Sequence, residues 1–257
     1  MIVVNRKNKG VNVYNIWYAE EPYKKPGVHF YHESKTEIGE NIVPFRTFLS
    51  DLTLPEDEIT AKYSKNTRYK IRKIAKEAIE GKVIMAEEVT PEDVEEFVTF
   101  FHEFWLTKDR PEMTKEVIYK EIKDYVEAKK FCITKAVYEG QTLVYHTYVQ
   151  GDDIVRQFHS ASLFRLEEKK EGEEPPKVNR NFIGMANCYL HQVDMLTFKK
   201  KGIKTFDWGG AGEGEEVASI TEFKAAFGGE VATFYNGQET VGVVANLAEE
   251  VVKLLHK

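Results

Sequence analysis

Candidate acid–base groups lie in the second half of the sequence. His159 stands in the run QFHSAS, directly before Ser160. An imidazole there can take a proton from an attacking amine near neutral pH, so His159 and Ser160 are candidate catalytic residues. A hydrogen-bonded core histidine is an equally good interpretation of His159. No G-x-S-x-G nucleophile elbow is present, which argues against a Ser–His–Asp hydrolase. Four further residues are candidates for a general acid or base: His146, Asp207, Glu222 and Tyr235.

The strand-like segment IKTFDWGG ends in a carboxylate followed by a glycine pair. Functional groups of α/β proteins are often found at the carboxyl end of a strand. Asp207 is therefore predicted to orient a substrate amine, although it would also suit a simple loop cap. Trp208, Gly209 and Gly210 are predicted to bind substrate beside it.

A long helix precedes this strand and begins with Asn181-Phe182-Ile183-Gly184-Met185-Ala186. The first N–H groups of a helix have no partner within the helix and carry partial positive charge, so they bind phosphate well. Gly184 and Ala186 would let a phosphate approach without a large side chain in the way. The predicted cofactor-binding residues are Arg180, Asn181, Gly184 and Ala186.

Two motifs resemble those of a known superfamily. The helix start is similar to the (Gln/Arg)-x-x-Gly-x-(Gly/Ala) signature of GNAT acyltransferases, with Asn181 where Gln or Arg is usual. The D-W-G-G strand end, together with F-K-x-x-F-G from Phe223 to Gly228, resembles the FemABX group of aminoacyl- and acyltransferases. This resemblance implies that Lys224 is a cation facing a phosphate or a developing oxyanion. Without it, Lys224 would be taken for a surface lysine.

The resemblance also implies a fold, the GNAT fold of the α/β (α+β) class. We expect a mixed, mostly antiparallel central sheet flanked by helices, with a β-rich N-terminal extension. Residues 1–82 would form the extension and a basic helix, and residues 83–257 the acyltransferase domain. The strands at 154–164 and 203–210 would part, and a backbone N–H left free in the gap would stabilise the oxyanion, an effect of roughly 3 to 4 kcal/mol.

The predicted activity is N-acyl transfer by direct attack, without a covalent enzyme intermediate. The donor would be acyl-CoA, an acyl carrier protein or aminoacyl-tRNA, and no metal is expected. The acceptor would be an amine of an amino sugar, an amino acid or a nucleotide-linked precursor of a surface polymer such as peptidoglycan. Two alternatives stay open: a tRNA-dependent FemX-like transferase, and a non-catalytic GNAT-like domain, which Asn181 favours.

The segment from Ser64 to Gly81 has apolar residues at helical spacing and predicts a helix. Lys65, Arg68, Arg72 and Lys76 would form a stripe along its other face. The stripe is either a solvated face or a cradle for phosphates of a nucleotide-linked acceptor or of tRNA. On the second interpretation, Arg68 and Arg72 bind substrate.

Composition limits the partners and the compartment. Lys plus Arg is 36 and Asp plus Glu is 42, so the net charge of −6 gives no bulk attraction to nucleic acid or to an anionic membrane. The two cysteines have no close metal-ligand partners, which fits a reducing compartment. A short apolar N-terminus and the lack of a long apolar run predict a cytoplasmic protein without membrane insertion. Residues 165–177 are expected to form a charged, solvated connection, or a flap over the active cleft.

Overall fold

One sheet of ten strands runs through the residues that the computed structural model describes, which are 1–163, 178–212 and 215–242. Its order is β1-β2-β3-β10-β4-β9-β8-β7-β6-β5. The strands are β1 (Ile2–Asn8), β2 (Val11–Trp17), β3 (Gly27–Ser34), β4 (Glu40–Asp51), β5 (Ile79–Ile84), β6 (Phe131–Tyr138), β7 (Gln141–Gln150), β8 (Ile154–Ser162), β9 (Thr205–Asp207) and β10 (Glu230–Val241). Within that sheet β2 and β3 are parallel, as are β8 and β9, and the other neighbours are antiparallel.

Helices cover both faces of the sheet. They are α1 (Glu56–Ala61), α2 (Lys65–Ile74), α3 (Pro91–Leu106), α4 (Lys115–Glu127), α5 (Arg180–Lys200) and α6 (Glu215–Ala225). Phe97 and Phe101 of α3 and Ile118 of α4 share a buried core with residues of β6 and β7. Helix α5 buries Met195 and Phe198 against other residues of the sheet. The mixed, mostly antiparallel sheet flanked by helices confirms the predicted fold class.

The predicted basic helix ends earlier than its sequence pattern indicates. Helix α2 begins after Ser64, whose side chain accepts the Thr67 N–H, and it ends at Ile74 rather than near Gly81. Ile79 already belongs to β5, which pairs with β6. Gly81 lies inside β5 and does not end a helix. A Cβ at this position would lie 2.8 Å from the Val193 side chain of α5. The glycine is needed for close packing of the strand on that helix.

The N-terminal strands belong to the same sheet as the rest of the chain. Strand β10 lies between β3 and β4 and pairs with both. The expected division between residues 82 and 83 falls inside β5. That division stays a prediction, and the hydrogen-bonded sheet is continuous across it.

Strand β9 is only three residues long, and each of them pairs with one of the first three residues of β8. The pairs run from Ile154↔Thr205 to Arg156↔Asp207. Beyond them β8 continues to Ser162 against β7, with a register shift between Thr147 and Tyr148. The chain after Asp207 instead bonds toward β4, with the Trp208 N–H donating to the Phe48 carbonyl at 3.0 Å. The pairing of the two parallel strands therefore ends at Arg156 and Asp207, and we call this end of the ladder the point where β8 and β9 part. Gly209, just beyond it, still lies against the Gln157 carbonyl.

Two further expectations concern the whole chain. Across the described segments, the helices are too short or too polar to cross a membrane. The charged connection at residues 165–177 lies outside the described residues.

Candidate active site

Lys224 lies at the point where β8 and β9 part. Its Nζ donates to the carbonyl oxygens of Gly210 at 2.9 Å and Gly209 at 3.3 Å. Burial, and next the charge of Arg156, lower the pKa of Lys224 from 10.5 to about 8, whereas Asp207 acts against this shift. An amine that loses its proton close to neutral pH can serve as a general base.

Asp207 is fully buried and fixes the glycine pair that holds Lys224. Its Oδ1 accepts the Thr47 hydroxyl at 2.6 Å and the Gly209 N–H at 2.8 Å. Its Oδ2 accepts the Tyr18 hydroxyl at 2.8 Å. Asp207 thus caps the loop. It acts on Lys224 indirectly, because it holds Gly209, whose carbonyl accepts a hydrogen bond from Lys224.

Glu33 is a second buried carboxyl beside Asp207. Its Oε1 accepts the Arg156 Nε–H at 2.6 Å, and its Oε2 lies 3.3 Å from the Tyr18 hydroxyl. Burial, followed by the charge of Asp207, raises the pKa of Glu33 well above its usual value. Tyr18 has one hydroxyl proton for two carboxyls, and Asp207 is the nearer acceptor. The charge of Arg156, paired with the other oxygen of Glu33, acts against the raised pKa of Glu33.

Arg156 completes this group, which we call the parting-point cluster (Tyr18, Glu33, Arg156, Asp207 and Lys224). Its Nη1 donates to the Gln157 carbonyl at 2.9 Å. The guanidinium carbon lies 4.9 Å from the Trp17 ring centre, and the rings of Phe45 and Phe158 are 5.9 and 5.8 Å away. These contacts are favourable for a cation. Two acidic and two basic residues are therefore packed together where the strands separate.

Sequence reasoning missed Tyr18, Glu33 and Arg156. Arg156 gave one readable signal, a lone charge in the apolar run IVRQF. Tyr18 and Glu33 gave none, because only the pairing of β10 with β3 and β4 brings their segment to the centre of the sheet.

His159 lies on the α3 side of the sheet and is largely buried there. Its Nδ1 is 2.8 Å from the Thr147 hydroxyl, which also accepts the His159 backbone N–H. The ring packs against Phe97 and Phe101, with centroid distances of 5.8 and 4.8 Å. These contacts suit a hydrogen-bonded core histidine. A catalytic role for His159, or for the exposed Ser160 beside it, stays a hypothesis.

The start of α5 is capped by its own preceding residue. Asn179 Oδ1 accepts the N–H groups of Asn181 and Phe182 at 3.0 and 3.1 Å, so two of the amides expected to be free for a phosphate are occupied. Ala186 is fully buried in the core, whereas a Cβ on Gly184 would meet nothing within 4 Å. A cavity of about 250 Å³ adjoins this helix start and the end of α2. Asn181 lines the cavity, and the preceding residue, Arg180, is exposed to solvent.

The basic residues of α2 lie close to this helix start, because α2 packs on α5. Arg72 is exposed, while Arg68 donates from Nη1 to the Ala61 carbonyl at 2.7 Å. From residue 62 to residue 76 the chain has seven Lys or Arg and no Asp or Glu. This segment is a locally basic surface on an acidic protein.

Trp208 is a core residue rather than an exposed one. It is fully buried, and its Nε1–H donates to the Ser50 hydroxyl at 3.0 Å. Its ring lies 4.8 Å from that of Phe227. Trp208 supports the turn before Gly209, and direct contact with substrate would require it to move. Of the other acid–base candidates, Glu222 is exposed on α6 and Tyr235 is half-buried in β10.

His146 belongs to a second polar group, buried between β7 and α5. Its Nδ1 is 2.8 Å from Asp194 Oδ2, which also accepts the Tyr148 hydroxyl at 2.6 Å. Possible ligand atoms of His146, His191 and Asp194 lie within 4.8 Å of one another. However, the two imidazole rings stack at 4.0 Å with an interplanar angle of 24°. A metal ion lies in the plane of each imidazole that binds it, and two nearly parallel planes do not meet at such a point. The geometry therefore fits a hydrogen-bonded network.

Comparison with known proteins shows the fold. No family model and no curated protein matches the sequence. The crystal structure of FemX is similar with a TM-score of 0.56 at 11% identity, over 80% of this chain and 63% of that one. A conserved protein of unknown function from Bacteroides thetaiotaomicron has a TM-score of 0.51 at 9% identity, over 77% and 62% of the two chains. L-PGS from Bacillus licheniformis has a TM-score of 0.50 at 11% identity, over 89% and 73%.

These similarities are structural, since the identities are low. The chain spans less than two thirds of the length of FemX and of the Bacteroides protein. It shares the fold of FemX and L-PGS, in line with the predicted fold.

Proposed function

We propose that this protein is an N-acyltransferase that moves an acyl or aminoacyl group from an activated carrier to an amine. The observation that supports it most is the position of Lys224, which has a lowered pKa and is fixed on the glycine carbonyls where β8 and β9 part. An opening between parallel strands can admit the acyl carbonyl of a donor. A base at its apex can then meet the attacking amine.

The proton balance of the reaction fits one such base. An acceptor ammonium loses one proton to neutral Lys224 and becomes a nucleophile. Its nitrogen forms a bond to the acyl carbon, and the bond from that carbon to the oxygen or sulfur of the carrier breaks. The second proton of the former ammonium leaves with that oxygen or sulfur. Asp207 would keep the glycine pair and Lys224 in position throughout.

The donor has two main candidates. Acyl-CoA is the first, and an acyl carrier protein would present the same thioester. The cavity beside Asn181 would take the phosphates of the donor, with Arg180 and Gly184 at the same helix start. Aminoacyl-tRNA is the second candidate, favoured by the basic segment 62–76 next to α5. Arg68 and Arg72 would then bind phosphates of the nucleic acid.

The acceptor follows from the resemblance to FemABX proteins. It would be an amine on an amino sugar, an amino acid or a nucleotide-linked precursor of a surface polymer, peptidoglycan included. A non-catalytic ligand-binding domain is the alternative of a different class, and the capped start of α5 is the observation that favours it.

Ligand-induced stabilisation distinguishes the donors. A ligand at 100 times its dissociation constant stabilises the folded protein by about 2.7 kcal/mol. We would measure melting with acetyl-CoA, longer acyl-CoAs and charged tRNA, on the unmodified protein and on the double variant Arg68→Gln/Arg72→Gln. The charge-matched control is Lys120→Gln/Lys123→Gln on α4. A tRNA donor predicts a shift that the arginine variant loses and the control keeps.

Product formation tests the activity itself. We expect a radiolabelled acyl group to move from the stabilising donor to one of a panel of amino sugars and amino acids, and Lys224→Met to abolish the transfer. Stabilisation by a donor without any transfer would support the binding domain and contradict the transferase.

A further inference from the structure

The side chains of Lys224 and Arg156 both lie against the glycine pair. The Lys224 ammonium donates to the carbonyls of Gly209 and Gly210. The Arg156 guanidinium carbon is 3.5 Å from the position that a Cβ of Gly209 would occupy. The same Cβ position is 2.2 Å from the Gln157 carbonyl oxygen, so only glycine allows this approach of β8.

Glu33 holds Arg156 in place and is itself held by Asn236. Its Nε–H donates to Glu33 Oε1, and its Nη1 donates to the Gln157 carbonyl. The Glu33 backbone N–H donates to Asn236 Oδ1 at 2.8 Å. Glu33 also has a φ of +50°, an unusual conformation for a residue other than glycine. Strands β3, β8 and β10 thus hold the guanidinium in one place against Gly209.

We propose that Arg156 is a positioning residue for Lys224, and that the Glu33–Arg156 ion pair determines how much of Lys224 is free of its proton at neutral pH. This inference rests on the proposed role of Lys224 as a proton acceptor. It adds residues of the N-terminal extension to the machinery of the reaction, since Glu33 comes from β3.

Every element packed around Lys224 contributes to its charge state. Arg156 of β8 disfavours the ammonium form, while Asp207 of β9 and Glu33 of β3 favour it. His191 of α5 faces the same region, but burial lowers its pKa well below the usual value, so it is neutral there. Tyr18, in the same cluster, has its pKa raised by burial and stays protonated. Glu222, two residues before Lys224, is exposed and has little effect.

The two partners of one ion pair therefore act on Lys224 in opposite directions. Removal of the positive charge in Arg156→Gln should raise the pKa of Lys224, because that charge disfavours the ammonium form. Removal of the negative charge in Glu33→Gln should lower it. A general loosening of the site would instead move both variants the same way, toward the pKa of an exposed lysine.

The test is an NMR titration of the full chain after reductive methylation with ¹³C-formaldehyde. The Lys224 signal is assigned by its loss in Lys224→Met. Arg156→Gln and Glu33→Gln are compared with Arg6→Gln, which breaks the Arg6–Asp124 pair away from the site and should leave the Lys224 pKa unchanged. Arg156→Lys keeps the charge and should shift the pKa much less than Arg156→Gln.

We expect opposite shifts in the two ion-pair variants. In Arg156→Gln a rise of one unit reduces the neutral fraction of Lys224 near pH 7 about tenfold. The inference is overturned by shifts of the same sign, or by no shift in either variant. Should Arg156→Gln fail to fold, Glu33→Gln decides alone, because an unchanged or raised pKa there contradicts the inference.

Transfer kinetics then separate this inference from the proposed function. With an active enzyme, the ascending limb of the kcat profile moves to higher pH in Arg156→Gln by the shift that NMR records, with KM unchanged. Opposite NMR shifts in a protein without any turnover would sustain the electrostatic pairing and remove the transferase.

Discussion

Lys224 should make the stability of this protein rise with pH. In the folded chain its pKa is about 8, against an ordinary value of 10.5. Between these two values the unfolded chain binds more protons than the folded chain, so the free energy of unfolding increases as the pH rises. At 1.36 kcal/mol per pKa unit the full effect is about 3.4 kcal/mol. About 2 kcal/mol of it falls between pH 7 and pH 9.5.

Lys224→Met isolates this contribution, because methionine has a similar length and no charge. The variant also loses the hydrogen bonds from Lys224 to two carbonyls, which costs about 1.5 to 3 kcal/mol for a charged donor. This loss contributes to the difference in the free energy of unfolding between the unmodified protein and the variant, which we call the gap. The change of this gap with pH reports on the pKa of Lys224. Relative to the variant, the unmodified protein should gain about 2 kcal/mol from pH 7 to pH 9.5.

Urea unfolding at pH 7, 8, 9 and 9.5, followed by circular dichroism, measures the gap directly. Other groups that titrate in this range are present in both proteins and cancel in the difference. Lys120→Met is the control, because it makes the same substitution at an exposed position of α4. A constant gap for Lys224→Met would show that Lys224 titrates like a surface lysine, and the argument for a general base would fail.

Two further substitutions test the geometry around Lys224. Gly209→Ala should destabilise the protein by at least about 2 kcal/mol in a urea titration, because a Cβ would lie 2.2 Å from the Gln157 carbonyl at a φ of +69°. Gly184→Ala is its counterpart in open space on α5, and should be neutral or stabilising by up to about 1 kcal/mol. Equal losses in the two variants would contradict the close contact of Gly209 with the Gln157 carbonyl. Tyr18→Phe should cost about 1.5 to 3 kcal/mol through the lost bond to Asp207, while Tyr119→Phe on the exposed side of α4 should change stability by less than about 0.5 kcal/mol. A neutral Tyr18→Phe would mean that Asp207 does not depend on that hydroxyl.

Helix caps and apolar runs in the sequence mark those helices and strands whose limits depend on neighbouring residues. Thr90 and Asp93 form a capping box at the start of α3, and these residues, with Pro91 between them, mark a helix start in the sequence itself. The strands β6, β7 and β8 coincide with three runs rich in apolar residues, separated by Glu139-Gly140 and by Gly151-Asp152-Asp153. The end of α2 was wrong because Ile79 continues the helical spacing, yet it is buried as a strand residue opposite Tyr138. Tertiary pairing outweighed the local periodicity there.

The candidate site was only partly readable. Lys224, Asp207 and the glycine pair stand within two short motifs, and the structure brings them together. His159 and Ser160 looked equally suitable by residue type, but the side of the sheet that a strand residue faces cannot be read reliably across a register shift. Glu33 and Tyr18 reach the site through strand pairings far apart in the chain. Neither residue type nor spacing carries that information.

The place of β10 has a consequence for how the chain reaches its native state. As the polypeptide emerges from the ribosome, β3 and β4 are made early, but the strand that separates them is synthesised about 190 residues after β4 begins. Until then, both carry unpaired backbone groups along one edge, and Glu33 cannot be held by Asn236. Such late, long-range closure slows folding, so the parting-point cluster should be among the last parts of the molecule to form.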